Sequence, residues 1–269
     1  DASEEWAQAI SAPSAPLDAN NADNQIPEAA TNGTLVGITA NSIDPGTGAV
    51  EFSLSDNAGG RFVIDTESGV VTVANGALLN RDAATSHSIT VVATSPVSGR
   101  TTSNTFTINV TNVAPTTPSD NNNAVNTVVE GAANGALVGI TAASNDPSGG
   151  VVMFSLSENA GGRFEITPLT GIVAVANGGL LDHDTATSHT ITVIATDAEG
   201  LASSPQSFTI NVTNVAPGAV TDSNNATNTV PENSATGTLL GLTASSSDPG
   251  GGSVVYSLSD NAGGRFASS

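Results

Sequence analysis

The sequence predicts an all-β protein built from tandem seven-stranded antiparallel sandwiches, and two observations support this. The first is a gapless repeat, in which Pro13, Pro115 and Pro217 hold the same place, 102 residues apart each time (115 − 13; 217 − 115). A fixed period of this kind indicates a modular array. The second is that each repeat consists of short runs rich in Val, Ile, Thr and Phe, separated by Gly, Pro, Asn and Asp. That alternation is typical of antiparallel β-sandwiches.

The period divides the 269 residues into four segments. Residues 13–114 form a first repeat, residues 115–216 a second, and residues 217–269 the first half of a third. Residues 1–12 match nothing else in the chain. Within them, residues 3–10 are predicted to form a short helix, because Ser3 can cap the first turn and acidic side chains follow it.

The half-repeat keeps about three of the strands of a full sandwich, which would leave an open sheet edge. We therefore expect residues 217–269 to become ordered only when a downstream segment, or a strand from another molecule, completes the sandwich. Residues 1–12 are one candidate donor of such a strand.

The second repeat gives the clearest strand pattern. In its last run Phe208, Ile210 and Val212 alternate with polar residues, the period of two of a half-buried strand. Asn177-Gly178 is a tight-turn signal. The predicted strands lie at 127–129, 135–142, 151–157, 163–167, 172–176, 188–196 and 207–213. Because aromatic residues make up only 3% of the chain, the predicted core depends on aliphatic side chains anchored by Phe52, Phe62, Phe106, Phe154, Phe164 and Phe208.

Charge and composition exclude several functions. The chain carries 25 acidic residues against five basic ones, a formal net charge of −20. This balance disfavours nucleic acid and anionic membrane surfaces and favours cations as partners. There is no Cys, so disulfides are excluded, and no apolar run approaches the ~20 residues of a membrane span. No paired nucleophile and base can be assembled, so we predict that the chain is not an enzyme.

The order of the motifs resembles a known family. Each full repeat has an isolated Glu after the first strand, then an Asp-Pro loop, and the second repeat continues with FSLSENAGGRF, TGIVAV, LLDHD, SHTITVIATD and FTINVTNVAP. This combination resembles the bacterial cadherin-like repeat of large surface adhesins, over residues 13–269. The resemblance implies Greek-key sandwiches stacked head to tail, an extracellular or cell-surface location, and calcium at the junctions between repeats, which we call seams.

The resemblance also implies which residues would ligate calcium. At the first seam these are Glu28 and Asp82 from the first repeat, Asp146 and Asp197 from the second, and Asn112 of the linker, which would add a carbonyl oxygen. At the second seam they are Glu130, Asp182, Asp184, Asn214 and Asp248. The match departs from the family in the linkers, which carry no acid, at Ser148, and at Asn80 and Ser95, which replace expected acids. We therefore expect fewer and weaker sites than the family maximum. The alternative is that these acids are surface charges or caps of strand ends.

Three other repeated features have simpler interpretations. The run at 120–123 of one Asp and three Asn is turn chemistry, because short amides and carboxylates bond to the backbone. His87 and His189 are predicted to make cross-strand contacts rather than to bind a metal. Arg61, Arg163 and Arg265 each follow Gly-Gly, and we expect them to brace a loop against a carboxylate.

The function that these observations favour is that of a structural spacer in a secreted or cell-surface adhesin, matrix or fibre protein, whose partners are neighbouring repeats. Two nearly identical repeats without an exposed aromatic cluster support it. One alternative is a binding module that engages another copy, a fibre subunit or a glycan. Another is an accessory repeat of an enzyme whose catalytic domain lies elsewhere.

Overall fold

A computed structural model of the chain describes residues 11–46 and 48–268, so the helix predicted at 3–10 lies outside the described residues. Within those residues the regular structure consists of strands and two three-residue 3-10 turns, Gly76–Leu78 and Gly178–Leu180. The all-β prediction is confirmed. No helix in the described part of the chain is long and apolar enough to cross a membrane.

The two full repeats have eight strands each. In the first repeat they are β1 (Leu17–Asp18), β2 (Gln25–Pro27), β3 (Leu35–Asn41), β4 (Glu51–Asp56), β5 (Phe62–Ile64), β6 (Val70–Val73), β7 (Ser86–Thr94) and β8 (Thr101–Thr111). In the second repeat they are β9 (Ser119–Asp120), β10 (Thr127–Val129), β11 (Leu137–Ala143), β12 (Met153–Glu158), β13 (Phe164–Ile166), β14 (Ile172–Val175), β15 (Ser188–Thr196) and β16 (Gln206–Thr213).

Each repeat forms two four-stranded sheets. The orders are β1-β3-β6-β5 and β2-β8-β7-β4 in the first repeat, and β13-β14-β11-β9 and β10-β16-β15-β12 in the second. One pairing departs from the antiparallel prediction. In the sheet β2-β8-β7-β4, β2 runs parallel to β8, the last strand of the repeat. β10 and β16 repeat this arrangement. Both strands of each parallel pair therefore end at the same edge, which places Glu28 beside the start of the linker, with its amide bonded to the Thr111 carbonyl at 3.0 Å.

The core of the first repeat is built on strict alternation. Ile89, Val91 and Ala93 of β7 are fully buried, as are Ile108 and Val110 of β8. The aromatic anchors behave unequally. Phe52, Phe62, Phe154 and Phe164 are buried, whereas Phe106 packs only partly buried against the core, and its counterpart Phe208 is also only partly buried. Aliphatic side chains thus supply most of the buried surface, as the composition predicts.

Strand boundaries differ from the prediction where glycines and short pairings intervene. β11 begins two residues later than predicted, because Gly135 has a φ of +85° and belongs to the preceding turn. Two-residue β9 has no apolar pattern and was not predicted. The Asn177-Gly178 signal is not a hairpin turn. Asn177 caps the 3-10 turn by accepting from the Gly179 amide, and a side chain at Gly178 would collide with the Ala132 carbonyl.

The contacts group the chain into two compact units. One comprises Asp1–Thr117 together with Ser144–Met153 and Ala195–Ser204, and the other comprises Pro118–Ala143, Phe154–Ile194 and Pro205–Ser269. Two loops of the second repeat therefore belong to the same unit as the first repeat. The residues predicted for the first seam all lie in the first unit, and those predicted for the second seam all lie in the second.

The last segment is not a closed sandwich. Its described part contains only β17 (Thr221–Asp222) and β18 (Ala244–Ser245), which form one antiparallel pair, where about three strands were expected. Phe266 is 40% exposed, whereas its counterpart Phe164 is 1% exposed. In the described residues the apolar side chains of this segment therefore have no second sheet to pack against.

We expect Ile108→Ala to destabilise the first repeat by about 2–5 kcal/mol, because it leaves a cavity among fully buried side chains. Thr107→Ala, one residue earlier on the exposed face of β8, is the matched control and should change stability by less than about 0.5 kcal/mol. Urea unfolding of the two variants measures the difference. Equal losses would contradict the assignment of the β8 faces.

Candidate functional site

A buried carboxylate directly follows the second strand of each full repeat, β2 or β10. Glu28 is 3% exposed and follows β2 directly. Its Oε1 accepts from the Val113 amide and its Oε2 from the Arg81 amide, each at 2.9 Å. One side chain therefore joins the strand end, the linker and the loop at 80–82. Each oxygen keeps a further lone-pair position for another partner.

The second repeat reproduces this arrangement. Glu130 is 2% exposed, and it accepts from the Val215 amide at 2.6 Å and the His183 amide at 3.0 Å. The donors are 102 residues beyond those of Glu28. The buried carboxylate is therefore a structural part of the repeat as well as a candidate ligand.

Two further carboxylates converge at Gly150. A Cβ atom built on Gly150 would collide with Asp82 Oδ2 and would lie 3.3 Å from Asp146 Oδ2. Asp146 Oδ1 is already used within its own loop, where it accepts from the Ser148 amide at 2.9 Å and the Gly150 amide at 3.2 Å. Its Oδ2 lies near the same point as Asp82 Oδ2. A side chain at position 150 would have to displace the Asp82 carboxylate.

The charges at this point oppose one another. Loss of hydration raises the pKa of Asp82, and the nearby carboxylates raise it further; these are Asp146, Glu28, Glu199 and Asp197. Burial acts in the same direction on Asp146, but hydrogen bonds from Ser148, Gly150 and Gly149 outweigh it and lower the pKa of that side chain. The seam thus holds carboxylate oxygens from several residues near one another, which favours binding of a cation.

Asp197 is tied to the linker. It is 3% exposed, and its Oδ1 accepts from the Glu199 and Leu201 amides at 2.9 and 2.8 Å. Its Oδ2 accepts from Asn112 Nδ2 at 2.9 Å. Asn112 therefore meets the seam through its amide donor, whereas the sequence suggested that it would offer a carbonyl. At the equivalent place in the first repeat, the Ser95 hydroxyl donates to Asp44 Oδ2 at 2.6 Å.

At the second seam, three of the five predicted residues lie in or beside the 248–252 loop. A Cβ on Gly250 would collide with Glu130 Oε2. One on Gly252 would collide with Asp184 Oδ2 and lie 3.4 Å from Asp248 Cγ. These three carboxylates thus surround the 248–252 loop.

The other two predicted residues are placed differently. Asp182 closes a local turn, with the Thr185 hydroxyl donating to its Oδ2 at 2.6 Å and the Asp184 and Thr185 amides donating to its Oδ1. The hydroxyl bond is the main reason that the pKa of Asp182 is lowered. Asn214 lies exposed in the linker.

Across residues 11–46 and 48–268, no group of three or more His, Cys, Asp or Glu side chains is clustered as a metal site. The structure shows pairs of carboxylates that converge on glycines, next to backbone carbonyls such as that of Pro249 beside Gly131. All of these donors are oxygens, which is the ligand type that calcium takes. The residues present fit calcium chemically.

Sequence reasoning missed an ion pair at the first seam. Arg81 Nε lies 3.1 Å from Glu199 Oε1. Asn80, noted only as a departure from the family, donates to the Ser148 carbonyl at 3.2 Å. The available signal was a single Arg between Asn80 and Asp82 in a chain with five basic residues.

The remaining repeated residues have structural roles. Arg61 donates to the carbonyls of Leu78 and Ala58 at 2.9 and 2.7 Å, so the expected carboxylate partner was wrong although the bracing role was right. His87 lies opposite Ile108 across the β7–β8 pair, with its ring 6.3 Å from that of Phe62. This is the cross-strand contact that the sequence predicted.

Parts of this chain are similar to known proteins. Residues 23–111 match the family model of the cadherin domain. The chain is similar to mouse cadherin-23 EC22-24, with 21% identity, a TM-score of 0.44, and coverage of 88% of this chain and 78% of that one. It is similar to Drosophila N-cadherin EC1-4, with 21% identity, a TM-score of 0.43, and coverage of 76% of this chain. It spans half of that structure's length. No curated protein matches the sequence.

The chain is therefore a tandem array of β-sandwich repeats, of which the first matches the cadherin domain. The family match itself covers the first repeat, from 23 to 111.

Glu28→Ala should destabilise the first repeat by about 2 kcal/mol, because it leaves the Arg81 and Val113 amides without an acceptor. Glu51→Ala, at an exposed position in β4, is the control and should have little effect. The measurement is urea unfolding in chelator, which removes any contribution of metal. A loss for Glu28→Ala no larger than the control's would show that the carboxylate does not hold the strand end.

The pKa values of His87 and His189 are lowered, first by burial and then by Arg61 and Arg163 respectively. The folded state therefore resists protonation, while the unfolded chain binds protons near pH 6.5. This stability is fully present above about pH 6.5 and falls as the pH decreases towards the folded pKa.

We expect the melting temperature to drop between pH 7 and pH 5, and the His87→Gln/His189→Gln variant to show a smaller drop. An identical drop in the variant would assign the pH dependence to other groups.

Proposed function

We propose that this chain is a non-enzymatic spacer segment of an extracellular adhesion-type protein, with calcium stiffening its seams. The observation that carries the proposal is the convergence of Asp82 and Asp146 on Gly150. Like charges are brought together there by side chains from two successive repeats. A surface adhesin or matrix protein of a bacterium is the setting that the motifs of the sequence favour.

Calcium takes ~6–8 oxygen ligands and draws most of its charge compensation from carboxylates. At the first seam Glu28, Asp82, Asp146 and Asp197 would provide it. At the second seam Glu130, Asp184 and Asp248 would provide it. Asp182 and Asn214 would add oxygens only if their local turns rearranged. Bound calcium would replace carboxylate repulsion by attraction and would fix the angle between repeats.

The hydrophobic core of the first repeat is formed without any seam carboxylate. We therefore expect calcium to control the stiffness of the seams and not the folding of the sandwiches. This separation suits a spacer, whose repeats stay folded while the seams respond to the ion concentration outside the cell.

A second candidate function is binding to another copy of the chain or to a glycan. One observation favours it, a groove of about 380 Å³ on the second repeat. Val125 and Leu137 line it and are 73% and 69% exposed. Association that is lost in Leu137→Glu would support this candidate over the spacer.

The test of calcium binding combines small-angle scattering with thermal melting, each in calcium and in chelator. A site at ~100 times its dissociation constant adds ~2.7 kcal/mol to the state that binds it. Asp82→Asn should lose part of the response, because it removes one charged oxygen without disturbing a core residue. Glu67→Gln, on an exposed turn, should keep it. If neither the maximum dimension nor the melting temperature responds to calcium, the seam acids are only surface charge.

A further inference from the structure

The first seam contains a positive charge that the second lacks. Arg81 lies in the 80–82 loop and contacts Glu199, which belongs to the 195–204 loop of the second repeat and the same compact unit. Both side chains are about one-third exposed, at 29% and 33%. An isolated ion pair at such exposure contributes little, so its importance depends on how the two groups are held.

Arg81 is fixed on the side of the first repeat. Its backbone amide donates to the buried Glu28 carboxylate, and its Nη1 donates to the Val110 carbonyl at 2.5 Å. The Nε atom is then directed to Glu199 at 3.1 Å. Because two contacts already hold the residue, less side-chain entropy is lost when the third forms, and the planar guanidinium suits this arrangement.

The surroundings strengthen the attraction. The carboxylates that raise the pKa of Asp82 are four, and Glu199 is one of them. Arg81 Nε lies 3.1 Å from Glu199 Oε1, so the positive charge lies next to one of these four acids. A fixed positive charge here does part of what a bound cation would do, since it offsets repulsion among carboxylates from successive repeats.

The two repeats differ at this loop. Residues 80–82 read Asn-Arg-Asp, with formal charge 0 (+1 − 1), while residues 182–184 read Asp-His-Asp, with formal charge −2 when His is neutral. The second seam therefore offers two more negative charges from its upstream loop and no tethered cation.

Two hydrogen bonds donated by Asn side chains accompany the ion pair. Asn80 Nδ2 donates to the Ser148 carbonyl at 3.2 Å, and Asn112 Nδ2 donates to Asp197 Oδ2 at 2.9 Å. Both join the first repeat or its linker to loops of the second repeat, within one compact unit. The seam thus has three direct protein contacts that require no ligand.

We propose that Arg81 is a tethered cation which keeps the first seam closed when calcium is absent. The inference builds on the proposed function, since it assigns different metal dependence to successive seams. The first seam keeps its geometry in chelator, because Arg81 and Glu199 replace part of the ion's charge. The second seam, with Asp182 and His183 in the equivalent places, depends on the added cation.

The experiment measures the seam without calcium. The chain has no Cys, so Thr107→Cys and Thr209→Cys, at exposed strand positions in the two repeats, allow two spin labels to be attached. Pulsed electron–electron double resonance in chelator measures the distance between the two labels, and it should give a narrow distribution for the labelled parent. Arg81→Gln should broaden it, and Gln keeps the backbone amide that Glu28 needs. Arg100→Gln, which removes the same charge from an exposed position in the loop at 95–100, should leave it narrow.

Two further variants make the test specific. Glu199→Gln should broaden the distribution as Arg81→Gln does, and it decides the question if Arg81→Gln does not fold. The exchanged pair Arg81→Glu/Glu199→Arg should recover a narrower distribution than either substitution alone. A distribution unchanged in both Arg81→Gln and Glu199→Gln would overturn the proposal. Adding calcium to Arg81→Gln separates the calcium proposal from the Arg81 proposal. If calcium does not narrow the distance distribution of this variant, the result counts against calcium binding and not against the role of Arg81.

Discussion

The structure of each seam depends on one buried carboxylate. Glu28 follows β2 and Glu130 follows β10. In each carboxylate, one oxygen accepts a hydrogen bond from a backbone amide of the linker, and the other accepts one from an amide of the loop after the 3-10 turn. A buried charge is costly unless it is hydrogen-bonded. Here the cost is offset by fixing three chain segments at one point, and Asp82 directly follows one of the residues that Glu28 holds.

The parallel pairing of β2 with β8, and of β10 with β16, makes this arrangement possible. β2 and β8 run in the same direction, with Pro27 opposite Thr111, so the Glu28 side chain begins where the linker leaves the sheet. In a purely antiparallel pairing the two strand ends would lie at opposite edges. The topology of the sandwich therefore decides that the acidic groups gather at the junction with the next repeat.

A few substitutions between equivalent positions of the repeats change the charge at their ends. Asn80 keeps the local turn of its counterpart Asp182, since its Oδ1 accepts from the Ala83 amide at 2.9 Å, but it removes a charge. Arg81 adds one of opposite sign. Ser95 supplies a hydroxyl to Asp44 where Asp197 supplies a carboxylate. These changes leave the backbone nearly the same while altering the electrostatic balance, which is the quantity that controls cation binding.

The sequence by itself determined the period, the all-β class and most strands, because strict apolar alternation such as Ile89, Val91 and Ala93 leaves one face for the core. It also identified Glu28, Asp82, Asp146 and Asp197 as a set, through the resemblance of their motifs. Only the tertiary structure decided which oxygens remain available. Asp182 accepts hydrogen bonds within its own turn, and Asn112 donates a hydrogen bond rather than accepting one. Arg81 contacts Glu199, which is 118 positions away in the chain. Such contacts depend on where folded loops meet, and residue spacing within a repeat carries no information about that.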